Sequence, residues 1–144
     1  MALREALTST KTRDAGILLL RVWLGIMMID HGVGKVFGDN TKFVNGVAEM
    51  GFPAPELFAW AAALSEFAGG ILLIVGLFVR PVSLFIAITM AVAAFIRHAD
   101  DEWGTQEKPI AYMAMALAIA LLGPDRLTLD RRLFSRRGKD VATR

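Results

Sequence analysis

Four apolar runs, at 15–29, 57–79, 81–96 and 109–123, alternate with connections rich in charge, glycine and proline. Only 57–79 reaches the roughly 20 residues that an untilted bilayer span needs. The others reach it if helix continues into flanking residues such as His31, His98 and Gln106, which places those ends at a membrane interface. The pattern predicts helices over about 15–33, 57–79, 81–98 and 107–123, followed by a tail at 124–144. Residues 1–14 are mixed polar and are compatible with a short surface helix. Between helices one and two, Phe43, Val44, Val47 and Met50 recur at helical spacing among Gly, Asn and Pro, which predicts a short amphipathic helix lying on the interface. Pro55 and Pro81 suit the first turn of helices two and three, where a missing N–H does no harm. The corner at Val79, Arg80 and Pro81 is short enough to make those helices antiparallel neighbours, and Gly123 with Pro124 stops helix four. The expected fold is all-α: one domain, 1–144, forming an integral membrane four-helix bundle with one extra amphipathic helix in the outer loop between helices one and two.

Composition agrees with a bilayer as solvent. A 144-residue chain with 55% hydrophobic residues and a mean hydropathy of +0.49 is too apolar for a water-soluble domain of this size. The net charge of +2 hides a lopsided distribution. The N-terminal tail, the link at Arg80 and the C-terminal tail hold 11 Lys/Arg against 5 Asp/Glu, whereas residues 30–56 and 97–108 hold 4 against 8. With four spans the first group shares one side, and the positive-inside rule makes that side cytoplasmic, with both termini there. The basic tail (Arg126, Arg131, Arg132, Arg136, Arg137, Lys139, Arg144) lacks interleaved aromatics and follows directly on a span, so it reads as attracted to lipid headgroups rather than to nucleic acid. No small-residue cleavage site follows the first apolar run, so helix one is expected to stay in place. The chain has no cysteine. Disulfides, thiol redox chemistry and cysteine-held clusters therefore do not arise within it.

Chemistry enters with two ionisable residues that stand alone in apolar runs, Arg21 and Glu66. A lone charge at the bilayer centre costs roughly 2.5 to 3.5 kcal/mol on insertion scales. Arg21 lies nine residues below Asp30 and Glu66 nine below Leu57, so both are expected roughly 13 Å beneath the outer boundary. They are then each other's best partner, with an attraction of about 4 kcal/mol at ~4 Å and an effective dielectric of ~20. Ala62, Glu66 and Gly70, beside Ala61, Ser65 and Gly69, form stripes of small residues that let helices approach closely and turn Glu66 inward. Lys35 joins the face of Arg21 if helix one persists past Gly34, and His98 continues the stripe of Ala87, Ala91 and Ala94 at the outer end. The candidate ligand-binding set is Arg21, His31, Lys35, Glu66 and His98. A metal site of His31 and His98 with Asp100 or Glu102 is chemically conceivable but has no tight motif, and the scattered methionines read as packing. Whether the Arg21 and Glu66 pair serves function or only structure stays open.

The order and spacing of these residues resemble the DoxX family of small four-helix membrane proteins. The matching pieces are Arg21 with Gly25, His31 to Lys35 (HGVGK), Glu66 to Gly76 (EFAGGILLIVG) followed by Arg80, Met90 to His98, and Gly123 to Asp130 (GPDRLTLD). They cover about residues 15–133. Asp125 stands where the family has glycine, and the run from Gln106 to Pro109 matches the family's acidic start to helix four only loosely. The resemblance implies a plasma-membrane protein tied to redox physiology, a membrane subunit or accessory of a quinone-linked or oxidative-stress system. An outward-facing pocket for a small polar or quinone-like ligand, a redox partner protein and a homo-oligomer are all compatible with it. Two other readings remain: an assembly scaffold braced by an Arg–Glu pair, and a transporter of a small molecule or metal. The transporter needs a continuous polar path, and helix four offers only Tyr112 between Ile110 and Leu122.

Overall fold

The computed structural model describes residues 9–134, and these form helices joined by turns. We number them α1 (Thr10–Phe37), α2 (Thr41–Glu49), α3 (Pro55–Val75), α4 (Val79–Val92, prolonged by a π-turn at Ala93–Arg97), α5 (Trp103–Leu122) and α6 (Leu129–Phe134). The long helices alternate in direction. One end of the molecule carries the start of α1 and the segment after α5, and is called here the terminal end. The other carries α2 and the turn from α4 to α5, and is called the loop end. Helix α1 packs on α3 and α5, α3 on α4, and α4 on α5, while α2 lies against α3. The core between them is apolar, built on Leu24, Met28, Leu73, Val79, Ile86, Met90, Ala116 and Ile119.

Three helices, Thr10–Phe37, Pro55–Val75 and Val79–Arg97, are long and apolar enough to cross a membrane, yet only 33%, 33% and 39% of their apolar windows are buried. Their outward faces present large apolar side chains, among them Leu19, Trp23, Leu64, Ile71, Phe85 and Ile88. Water would penalise such a surface, and lipid does not. Helix α5 has a span's length, 20 residues, but opens with Gln106, Glu107 and Lys108 ahead of Pro109.

Helix boundaries differ from the sequence expectation at both ends of α1, at the end of α3 and at the start of α5, which begins at Trp103 and not near 107. Helix α1 starts at Thr10, capped by Ser9, and runs through Gly32 and Gly34 to Phe37. Glycine lowers helix propensity by only about 1 kcal/mol, and packing on α3 outweighs that here. Helix α3 stops at Val75, not at Val79, because Gly76 takes a left-handed conformation (φ 76°). The N–H groups of Gly76 and Leu77 bond back to Leu73 and Leu72, at 3.2 and 3.0 Å. That closes the helix in a Schellman motif. The short amphipathic helix appears where expected, as α2. Ahead of it, hydrogen bonds from Thr41, including its N–H at 2.9 Å, hold the Asp39 carboxyl below the usual carboxylate range.

The α3–α4 corner is held from a distance in sequence. Phe78 is the one non-glycine residue with positive φ (52°) among those described, a conformation that costs a branched or bulky residue roughly 1 kcal/mol or more. Asp130 supports it. Its carboxylate accepts the N–H of Phe78 at 2.7 Å and of Val79 at 2.8 Å, and its own N–H donates to Gly76 at 3.0 Å. Asp130 thus serves as the N-cap that α4 lacks locally. Asp130→Ala is expected to destabilise the protein by about 1–2 kcal/mol, read as a lower thermal midpoint in detergent, with Asp130→Asn recovering part of the loss.

Candidate functional site

The structure separates the lone charges of the sequence into two ion pairs, one at each end. At the terminal end Arg21 is buried to 1% side-chain exposure, with Asp125, at 0%, as its partner (Nε to Oδ2, 3.3 Å). Its Nη1 donates to the carbonyls of Leu73 at 2.6 Å and Ile74 at 3.0 Å. These are among the last carbonyls of α3, which have no partner within the helix and carry the negative end of its dipole. Gly76 lies directly under the guanidinium, where a Cβ would collide with it and with Thr128. Asp125 is fixed in turn, because its Oδ1 accepts the N–H of Leu127 at 2.7 Å and its carbonyl accepts the Thr128 hydroxyl at 2.8 Å. Arg13 donates to the Leu122 carbonyl at 3.0 Å, so this end is knitted by α1, the α3 terminus and the 123–130 segment together.

At the loop end Lys35 meets Glu66, with Nζ at 2.7 Å from Oε1 and 2.6 Å from Oε2. The carboxylate is 3% exposed and the lysine 28%, so the pair is rooted in the protein and opens through its cationic member. Helix α2 covers it, placing the ring of Phe43 4.5 Å from the Lys35 ammonium, in reach of a cation–π interaction. The close approach of α1 and α3 here depends on Gly32, whose Cα lies against the Phe67 backbone.

The expected Arg21–Glu66 pair is therefore not formed. The depth count assumed that helix one ends near Asp30, but it continues to Phe37. Arg21 thus lies roughly 10 Å further from the end of the helix than counted. The same extension carries Lys35 onto the face that reaches Glu66. Of the five candidates the structure joins Lys35 with Glu66 and sets Arg21 apart from them. His31 is exposed and its ring meets the edge of Tyr112 at 5.6 Å. His98 is half-buried, its Nδ1 2.6 Å from Asp101, with Gln106 donating to its carbonyl at 2.8 Å. The π-turn before His98, closed by its N–H to the Ala93 carbonyl at 3.0 Å, breaks the helical phase. Among the described residues no group of three His, Asp or Glu side chains gathers as a metal site, and His31 and His98 are engaged with different neighbours. The basic residues Arg136, Arg137, Lys139 and Arg144 lie outside the described residues.

The residues that sequence reasoning missed are Asp125 and Phe43. The signal for Asp125 was present: a buried arginine requires an acid, and Asp125 follows directly on the fourth apolar run. Choosing it over Glu66 needed the end of helix one, which the periodicity does not mark.

Comparison with known proteins identifies the family. A family model described as DoxX matches residues 16–99. An Escherichia coli relative, inner membrane protein YphA, is 32% identical over 130 residues, covering 83% of this chain and 91% of its own length. The chain belongs to the DoxX family. Inner membrane protein YqjF of the same organism is 28% identical, covering 85% of this chain and 95% of its own. The Bacillus subtilis protein named "Putative oxidoreductase CatD" is 29% identical, covering 86% and 91%. No solved structure matches. The DoxX match includes Arg21, His31, Lys35, Glu66 and His98 but ends before Asp125.

Proposed function

We propose that this DoxX protein is a plasma-membrane subunit or accessory of a redox system that holds a small polar or quinone-like ligand at its loop end. In this reading α1, α3, α4 and α5 all span the bilayer, both termini are cytoplasmic, and the loop end faces outward. The fourth span is supported by the length of α5, about 30 Å. The orientation is supported by the excess of Lys and Arg in the terminal-end segments. Family membership, the E. coli relatives' names and the oxidoreductase name of the B. subtilis relative support the cellular setting.

The observation that carries the site is the Lys35–Glu66 pair. Glu66 engages the ammonium through both oxygens, which fixes Lys35, while the part-exposed Nζ keeps a further N–H to offer a carbonyl or anionic oxygen. A buried carboxylate beside that oxygen can accept or return a proton as the ligand changes redox state. Phe43 supplies an apolar wall. Arg21 takes the structural role, since its donors go to Asp125 and to the end of α3.

The test is titration of the full chain in lipid nanodiscs with a water-soluble short-chain naphthoquinone, read by tryptophan fluorescence. Saturable quenching is expected, weakened about tenfold or more in Lys35→Met and Glu66→Gln and largely kept in Lys35→Arg. Equal affinity in all variants, or no saturable phase, overturns the ligand site. A scaffold role is the second reading, favoured by the outward apolar faces of α1 and α4 and by the Arg21–Asp125 strut. Its sign is a co-purifying membrane protein lost on changes at Trp23 or Phe85 and retained in Lys35→Met.

A further inference from the structure

We propose that the terminal end carries a binding site for the headgroup of an anionic phospholipid, built from Arg80 and Arg131. An open cleft of about 390 Å³ lies between the start of α4, the turn after α5 and α6, lined by Phe78, Arg80, Pro81, Pro124, Arg131 and Phe134, with Asp130 at its base. Its lining is almost entirely apolar apart from these charges. Neither arginine side chain has a carboxylate or carbonyl partner among the described residues, whereas Arg13, Arg21 and Arg126 each do. The one acid present, Asp130, turns both oxygens to the N–H groups of Phe78 and Val79 and pairs with neither arginine, and two cations against one carboxylate leave the cleft net positive.

Arg80 is also positioned. Its guanidinium lies over Gly123, where a Cβ would come within 2.9 Å of Nε and Nη2. Gly123 has φ 73°, so the backbone there both requires glycine and leaves a ledge for the arginine. Two guanidinium groups above an apolar trough match a phosphodiester joined to acyl chains. The surroundings favour lipid over a soluble anion. Phe78 and Phe134 in the wall of the cleft are half-exposed, and Leu84 and Phe85, one turn further along α4, are exposed apolar side chains. A headgroup held at Arg80 would therefore lay its chains on the apolar surface of that span. The inference depends on α4 crossing the bilayer and not on the redox reading or on which side the terminal end faces.

The test is native mass spectrometry of the delipidated full chain in detergent, titrated with dioleoylphosphatidylglycerol or dioleoylphosphatidylcholine. Preferential retention of the glycerol lipid is expected. Arg80→Gln with Arg131→Gln should reduce it about 30-fold, from about 1 kcal/mol per arginine, without changing choline-lipid retention or the thermal midpoint. Lys42→Gln with Arg97→Gln removes the same charge at the loop end and should leave retention unchanged. Equal retention of both lipids, or an equal loss in the loop-end double variant, overturns the site. Displacement of the lipid by millimolar inorganic phosphate assigns the arginines to a free anion and overturns the lipid. A dimer abolished by the Arg80 and Arg131 changes would assign the cleft to a second copy and overturn it too.

Discussion

Asp125→Ala is expected to destabilise the protein by about 3–5 kcal/mol, because it leaves the Arg21 guanidinium buried without its counter-charge. The cost falls on the arginine rather than on the lost aspartate. At 1% exposure the guanidinium has no route to water. The two carbonyls at the end of α3 remain as acceptors but carry only partial charge. Asp125→Asn keeps an oxygen for the Leu127 N–H and isolates the charge from the turn that Asp125 also shapes. Arg21→Met removes the cation and its hydrogen bonds to the Leu73 and Ile74 carbonyls. A double-mutant cycle with Arg21→Met and Asp125→Asn, followed by thermal unfolding in detergent, should show coupling of about 1–3 kcal/mol. The double variant should be clearly more stable than the sum of the single losses implies. Strict additivity would mean that the two groups do not act as a pair. A retained Lys35–Glu66 site, read by the quinone titration above, would show that the terminal-end strut and the loop-end pair are separate devices.

The helices were legible in the sequence because their signals are local. Long apolar runs, Pro55 at the start of α3, and Gly123 with Pro124 after α5 each mark an element without reference to the rest of the chain. The spacing of Phe43, Val44, Val47 and Met50 did the same for α2. That buried charges need partners was legible too, since it follows from solvation alone. Which charge meets which was not. Pairing depends on where each helix ends, and three ends are set by long-range contacts: α1 persists past Gly34 on the surface of α3, α3 ends where Gly76 passes beneath Arg21, and α4 starts where Asp130 supplies its cap. Each shift of a few residues moves a side chain by 5 to 10 Å or so along a helix axis, enough to replace Glu66 by Asp125 as the partner of Arg21. The π-turn at Ala93–Arg97 was not legible either, because nothing in its sequence, AAFIR, departs from an ordinary helical run.

The small-residue stripes have a direct consequence at Gly32. Two glycines lie two residues apart on the same helix, and the structure assigns them opposite roles. Gly32 faces α3, where a Cβ would stand 2.6 Å from the Phe67 nitrogen and 2.9 Å from its Cα. Gly34 faces open space, with nothing within 4 Å of a Cβ. Gly32→Ala is therefore expected to cost about 3 kcal/mol, the upper end of the usual overpacking range, because the obstructing atoms are backbone and cannot change rotamer. Relief requires α1 to move away from α3, which lengthens the Lys35–Glu66 contact one turn further on. The same variant should accordingly weaken quinone-probe binding along with stability. Gly34→Ala should raise stability by about 0.5–1 kcal/mol by restricting the unfolded chain and favouring helix, with probe binding unchanged. Thermal unfolding of the two variants side by side in one detergent reads the difference. If both alanines stabilise, α1 and α3 are not in backbone contact at Gly32, and the narrow gap that lets Lys35 reach a buried carboxylate is not there.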